Sequence, residues 1–312
     1  MNNFEKDVFE GLTASKKALK SKYFYDDIGS RIFQEIMEMP EYYLTNCEFE
    51  IFQKQSEEIF NALNFQTHFN LIELGAGDGL KTAELIRYLS ANKISFTYTP
   101  IDISQEANEL LSAKLKLEFP ELKISPKTGD YFEILKDLRN NNTPSLLLFI
   151  GSNIGNYLKD EAVALFDLFN QSMKTGDKLL IGVDLKKDPE IIHQAYFDPH
   201  GITKRFNINL LTRINRELGG NFIENNFDFE VNYDPTTGEV KSYLKSLVHQ
   251  KVEIKKINLE IEFKEDETIW TELSKKYDLA ELKTLLQNSG FKTLKHFTDS
   301  RNYFSDSVFE KA

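Results

Sequence analysis

From residue 69 onward the chain alternates short apolar runs with helix-length segments, and this rhythm constrains the fold more than any other feature. FNLIELGAGDG, beginning at Phe69, reads as a buried strand running into a glycine-rich turn. KTAELIRYLSA follows as an amphipathic helix, FTYTPIDIS as a second strand and SQEANELLSAKLKLEF as a second helix. LKISPKTGD is a weaker strand and SLLLFIGSN a fully apolar one. The helical DEAVALFDLFNQSMK then leads into the strand KLLIGVDLK. Strands this apolar, separated by helices, predict a parallel, doubly wound α/β sheet, because only a sheet covered on both faces dispenses with polar alternation.

The flanking segments read differently. The first 55 residues are helical with aromatic-rich connections: Ile32, Phe33, Ile36 and Met37 lie at helical spacing before Pro40 interrupts. Past Lys187, helical segments run to about Leu218. FDFEVNYDPTTGEVKSYLKSLVHQKVEIKKINLEIEF then reads as an antiparallel meander turning at DPTTGE. The ending, LAELKTLLQNSGF followed by TLKHFTD and YFSDSVFE, returns to helix and strands. The expected organisation is an α/β domain over 57–187 and 276–312, with a second, α+β domain over 1–56 and 188–275.

Composition narrows the function. The 312 residues carry 38 Lys+Arg against 49 Asp+Glu, a net charge of −11, and no basic stripe, so nucleic acid is not an expected partner. The longest apolar runs, Leu146 to Ile150 and Leu179 to Val183, are far too short to span a bilayer. No secretory h-region is visible in MNNFEKDVFEG. The single cysteine, Cys47, excludes intrachain disulfides and multi-cysteine metal sites. The expectation is a cytoplasmic, metal-free monomer acting on a small molecule, with no membrane partner.

The sharpest local signal is Glu73-Leu74-Gly75-Ala76-Gly77-Asp78-Gly79, directly after the first strand. Glycines here allow positive φ and close approach of a ligand at the carboxyl edge of the sheet. A dinucleotide site needs G-x-G-x-x-G for pyrophosphate, whereas the spacing here is G-x-G-x-G with two carboxylates in or beside it. Those carboxylates suit the sulfonium and amino group of S-adenosylmethionine instead. Asp102, ending the second strand, can accept from a ribose diol in either class. Asp130 and Tyr131, after the third strand, sit where a methyltransferase touches adenine, although G-D-Y is also an ordinary strand-end turn. Lys81 opens the first helix, either as a ligand contact or as a solvated lysine.

Several segments together resemble the histidine-specific N-alpha-methyltransferases of ergothioneine biosynthesis: KYFYDDIGSRIFQEIMEMPEYYLTNCE, LIELGAGDGLKT, YTPIDIS, FIGSNIGNY, AYFDPHGITKRFNINLLTRIN and TELSKKY. The resemblance spans nearly the whole chain. It implies a class I (Rossmann-like) S-adenosylmethionine-dependent methyltransferase sheet with a second domain for the amino acid. The implied reaction is methylation of the alpha-amine of free histidine, giving hercynine after three transfers. By position, Gly75, Lys81, Asp102, Asp130 and Tyr131 match the family's S-adenosylmethionine contacts. Asn156 and Tyr196 match residues that grip the amino-acid backbone end. Tyr42, Glu272 and Ser274 match groups around the imidazole, and Tyr25 matches a tyrosine near the reacting end.

The residue chemistry agrees. Asn offers donors and acceptors, and Tyr offers a hydroxyl, so both suit a free amino acid. Glu272 and Ser274 are two apart and share one side of an extended segment, where a carboxylate can accept from one imidazole nitrogen while a hydroxyl serves the other. The expected chemistry is in-line displacement by the neutral amine, through positioning and desolvation. The family's histidine enzymes carry a methionine beside the imidazole where this chain has Ser242 or Tyr243. That departure leaves another aromatic amino acid, such as tryptophan or a derivative, as the alternative substrate, although an apolar side chain would strand the Glu272 carboxylate.

Overall fold

The computed structural model describes residues 1–136 and 143–312. The chain begins with helices α1 (Asn3–Thr13), α2 (Asp27–Glu38) and α3 (Tyr43–Leu63). Strands and helices then alternate as β1 (Phe69–Leu74), α4 (Leu80–Ala91), β2 (Phe96–Asp102), α5 (Gln105–Glu118), β3 (Lys127–Thr128), α6 (Tyr131–Lys136), β4 (Ser145–Phe149), α7 (Lys159–Ser172) and β5 (Lys178–Asp184). Next come α8 (Pro189–Tyr196) and α9 (Ile202–Leu218), then strands β6 (Phe227–Asp234), β7 (Glu239–Ser246), β8 (Gln250–Ile254), β9 (Leu259–Phe263) and β10 (Thr268–Lys275). The chain closes with α10 (Leu279–Asn288), β11 (Phe291–Thr298) and β12 (Phe304–Lys311).

The chain divides into two compact units, Met1–Tyr43 with Lys187–Lys276, and Leu44–Lys186 with Tyr277–Ala312. The division at 43/44 precedes the sequence expectation of 56/57. The physical reason lies in α3, which is kinked at Gln55 but not ended there. Its first turns already serve the second unit: Arg301 Nη2 donates to Cys47 Sγ at 3.1 Å, and Glu48 Oε1 accepts from Gly151 N at 2.7 Å.

The second unit is built on a seven-stranded sheet in the order β11-β12-β5-β4-β1-β2-β3. Its β1–β5 portion is parallel, and β12 runs antiparallel to both β5 and β11. Every residue of β4 and β5 is buried, which explains why neither alternates. The weak third strand shrinks to Lys127–Thr128 plus an isolated bridge between Tyr98 and Ile124. Helix starts follow local chemistry: Ser104 Oγ accepts from Ala107 N at α5, and Asp278 Oδ1 from Glu281 N at α10.

The first unit packs α1, α2 and α9 into one core with the inserted strands. Phe4, Val8 and Leu12 of α1 bury one helical face, alongside Ile32 and Ile36 of α2 and Phe206, Leu210 and Ile214 of α9. Each such fully buried aliphatic or aromatic side chain contributes about 1.5–3 kcal/mol. The expected single meander divides here. β10-β7-β6 form one antiparallel sheet, while β8 and β9 pair as a separate ribbon, with an isolated bridge from Ile254 to Gly220. Asn258, at φ +48°, closes the tight turn that holds β8 and β9 together.

Candidate active site

In the first unit, the face of the β10-β7-β6 sheet grades from apolar to polar. Phe229, Leu244 and Ile269 occupy one end in register. Further along, Ser242 stands directly opposite Glu272, and Val240 opposite Ser274. Strict alternation would put Ile269 and Glu272, three residues apart, on opposite faces. A register shift between Trp270 and Glu272 corrects the parity. Thr271 sits at the bulge, with Oγ1 2.6 Å from Asn207 Oδ1 and 3.0 Å from Ser242 O, while Trp270 Nε1 donates to Glu272 O at 2.7 Å. The bulge therefore aims Glu272 and Ser274 to the same side. By register, Ser242 shares the Glu272 face, whereas Tyr243 pairs with Trp270 and Glu230 on the other.

Around these two residues the tyrosines assemble. Tyr196, at the end of α8, is buried, with its hydroxyl 2.8 Å from Ser274 Oγ. Tyr42 packs against Tyr196 with ring centroids 6.3 Å apart, and against Phe33. Tyr25, which keeps 46% exposure, stands edge-on to Phe33 and Phe206. Burial pushes the Glu272 carboxyl up to about 7, against the pull of the Lys276 ammonium. Tyr25, Tyr42, Tyr196, Glu272 and Ser274 thus come together in one unit. Lys276, whose Nζ donates to Ser274 Oγ at 2.9 Å, joins them and was not anticipated. The T-E-L-S-K-K alternation was the signal, since 272, 274 and 276 share strand parity.

In the second unit, the other expected residues line the carboxyl ends of β1 to β4. Gly75 and Gly77 both adopt positive φ, and nothing lies within 4 Å of a Cβ built at either, so the turn is open on its ligand side. Gly79 is constrained by packing as well, since its Cβ would stand 2.4 Å from Leu111 Cδ1. Asp102 Oδ1 accepts from Ser104 N at 2.9 Å, and Asp130 O accepts from Glu133 N and Ile134 N at 3.1 Å. The Tyr131 and Tyr157 hydroxyls bond each other, and burial raises the Tyr131 phenol. Asn156, exposed, ends a 3-10 turn, Asn153–Asn156, that follows β4 and buries Ile154 and Gly155.

One acidic residue beside the glycine-rich turn does not do what the sequence suggested. Glu73 is buried and accepts from the Tyr98 and Thr82 hydroxyls, and burial lifts its carboxyl to about 7. It braces the strand end from inside rather than offering charge to a cation. Asp78 Oδ1 accepts from Leu80 N at 3.0 Å, as a turn cap for α4. Lys81 is paired with Glu48, which is wholly buried. Burial lowers its ammonium, but Glu48 outweighs that and leaves it raised. Asp306 lies beside them, its acidity suppressed well below normal by burial and by Glu48. Gly182 makes room for this pair, because a Cβ there would stand 2.1 Å from Glu48 Oε1. No local motif signals Glu48 or Asp306; only the folded sheet brings α3, β5 and β12 together.

A family model described as "Histidine-specific methyltransferase, SAM-dependent" matches residues 4–311. The chain belongs to this family. It is 31% identical over 306 residues to a histidine N-alpha-methyltransferase of Mycobacterium tuberculosis, covering 98% of this chain and 94% of that relative. It is 28% identical over 301 residues to the ergothioneine biosynthesis protein 1 of Schizosaccharomyces pombe, covering 94% of this chain and 39% of the relative. An L-tryptophan methyltransferase of Psilocybe serbica is 27% identical over 312 residues, covering 91% of this chain and 86% of the relative. As a member of the histidine-specific methyltransferase family, the chain is an S-adenosylmethionine-dependent methyltransferase. The strand order of its second unit, with antiparallel β12 inserted between β5 and β11, is the class I Rossmann-like sheet. The open side of the Gly75–Gly77 turn fits a cosubstrate that lies against the backbone at this edge.

Proposed function

We propose that this enzyme methylates the alpha-amine of free L-histidine, in three successive transfers that give hercynine, the trimethylated betaine, within ergothioneine biosynthesis. The observation that carries this reading is the placement of Glu272 and Ser274 on one strand face, beside the Tyr196 hydroxyl. An ionised carboxylate accepts from an imidazole N–H, and a hydroxyl serves the second ring nitrogen. Tyr42 and Tyr196 supply aromatic walls and hydroxyls at low entropic cost, and Tyr25 borders the reacting end. S-adenosylmethionine, placed against Gly75 with Asp102 toward its ribose and Asp130, Tyr131 and Lys81 around the rest, supplies an electrophilic methyl group. The protein's part is then to hold the ring and backbone, leave the amine free to rotate, and keep water out while the neutral amine attacks in line. The amine attacks only after losing its proton: a peptide alpha-amine has a pKa of about 7.7–8.0 and the carboxylate of a free amino acid raises it further, so the neutral fraction grows with pH and the proton leaves to solvent.

Ser242 opposite Glu272 favours a second reading, methylation of a larger aromatic amino acid such as tryptophan, because a serine leaves volume beside the ring. The Ser274 hydroxyl opposes it, since an indole's one N–H can serve Glu272 but the ring has no acceptor for that hydroxyl. The test is incubation of the purified protein with S-adenosylmethionine and the twenty amino acids in competition, followed by mass spectrometry. Histidine as the predominant methylated species supports the first reading. Tryptophan in that place overturns it.

A further inference from the structure

Lys276 is fully buried, yet its Nζ donates to Tyr196 OH at 2.6 Å and to Ser274 Oγ at 2.9 Å, and lies 4.3 Å from the centre of the Tyr196 ring. The two hydroxyl oxygens are themselves 2.8 Å apart. An ammonium is purely a donor, so both oxygens accept from it, and the bond between them consumes one hydroxyl hydrogen. A phenol is the more acidic hydroxyl, hence the better donor and the poorer acceptor, so Tyr196 donates to Ser274. Ser274 Oγ then accepts twice, and its own hydrogen is the group left for a ligand. A serine hydroxyl that would otherwise rotate between donor and acceptor roles becomes a fixed donor.

We propose that Lys276 is a positioning residue of the amino-acid site: its ammonium orients the Ser274 hydroxyl as a donor and favours the charged, accepting form of Glu272. The face then offers one donor and one acceptor, the complement of a neutral imidazole with one bare nitrogen and one N–H. Within this unit Glu272 faces Lys276 on its own chain segment, and Tyr25 from the segment preceding α2 feels both Glu272 and Tyr196. Removing the ammonium therefore leaves burial unopposed at Glu272, which favours the neutral acid.

The proposal rests on the histidine reading and is tested with pH profiles of histidine methylation for wild type, Lys276→Met, Lys276→Arg and Lys276→Met/Glu272→Gln. Substrate ionisations are common to all four, so differences report on the enzyme. For Lys276→Met, the histidine KM at pH 7 is expected to rise roughly tenfold or more with a smaller change in kcat. Its acid limb of kcat/KM should move up by about one pH unit. Lys276→Arg, which keeps the charge, should hold the limb near its wild-type position. S-adenosylmethionine binding, followed by calorimetry, should be unchanged. A Lys276→Met protein with wild-type KM and acid limb overturns the proposal while leaving the histidine reading intact. Absence of histidine methylation by wild type overturns both. Should Lys276→Met fail to fold, the double variant is compared with Glu272→Gln alone. The freed Ser274 hydroxyl should then raise KM a further roughly 2- to 10-fold, the worth of one neutral hydrogen bond, and no rise refutes the proposal.

Discussion

Replacing Glu272 with Gln keeps the size of the side chain and removes its charge, which isolates what the carboxylate does. A hydrogen bond to a charged partner is worth about 1.5–3 kcal/mol, so kcat/KM for histidine should fall roughly 10- to 150-fold at pH 8. The pH dependence carries a second, sharper signature. In the wild type, burial raises the Glu272 carboxyl to about 7. With that value, only about a tenth of the carboxyl is ionised one unit lower, at pH 6, and kcat/KM should climb through that range as the acceptor form appears. In Glu272→Gln this contribution disappears, and only the ionisations of histidine itself remain. Initial rates of S-adenosylhomocysteine formation between pH 5.5 and 9, at subsaturating histidine, give both quantities. A Gln variant with the wild-type rate and the same acid limb would refute the assignment of Glu272 to the ring.

Three further outcomes follow from the same geometry. Glu73 is raised from 4.5 to about 7 by burial, so the stability it gives the native state is full below about 4.5 and is lost as pH rises through 7; Glu73→Gln should abolish about 3 kcal/mol of that decline, read as a flatter pH dependence of the thermal midpoint, and an unchanged slope would contradict it. Gly79→Ala combines positive φ with a Cβ 2.4 Å from Leu111 Cδ1 and should destabilise by roughly 1–3 kcal/mol in chemical denaturation, with Leu111→Ala relieving part of the clash. Asp306→Asn preserves the neutral form that burial and Glu48 enforce, and should leave the thermal midpoint above pH 6 within a few degrees of wild type, whereas Glu48→Gln strands Lys81 and should lower it markedly.

The parallel sheet was legible because its strands are buried on both faces, and continuous apolar runs such as Ser145–Phe149 have no other economical fold. The positions of Gly75, Asp102 and Asp130 followed from the same pattern, since each ends a strand or lies within two residues past its end. What escaped the sequence depended on register and on residues distant in the chain. The β10 bulge, invisible to a period-two reading, decides that Glu272 and Ile269 share a face. The division of β8 and β9 from the meander depends on β10 returning to pair with β7, a contact between distant segments. Glu73 looked like a ligand for a cation until Tyr98 and Thr82 claimed both its oxygens. Lys276 is one of a lysine pair, and its burial against Tyr196 and Ser274 sets it apart.

The central claim is transfer of methyl groups to the alpha-nitrogen of histidine, and product structure tests it most directly. The enzyme is supplied with histidine and S-adenosylmethionine carrying a 13C methyl group, and the product is examined by heteronuclear NMR. The account expects the labelled methyl signal to correlate through nitrogen with the histidine alpha-carbon, and to converge on a single resonance of three equivalent methyls. Correlation with imidazole carbons instead, or label recovered on no amino acid at all, would contradict it.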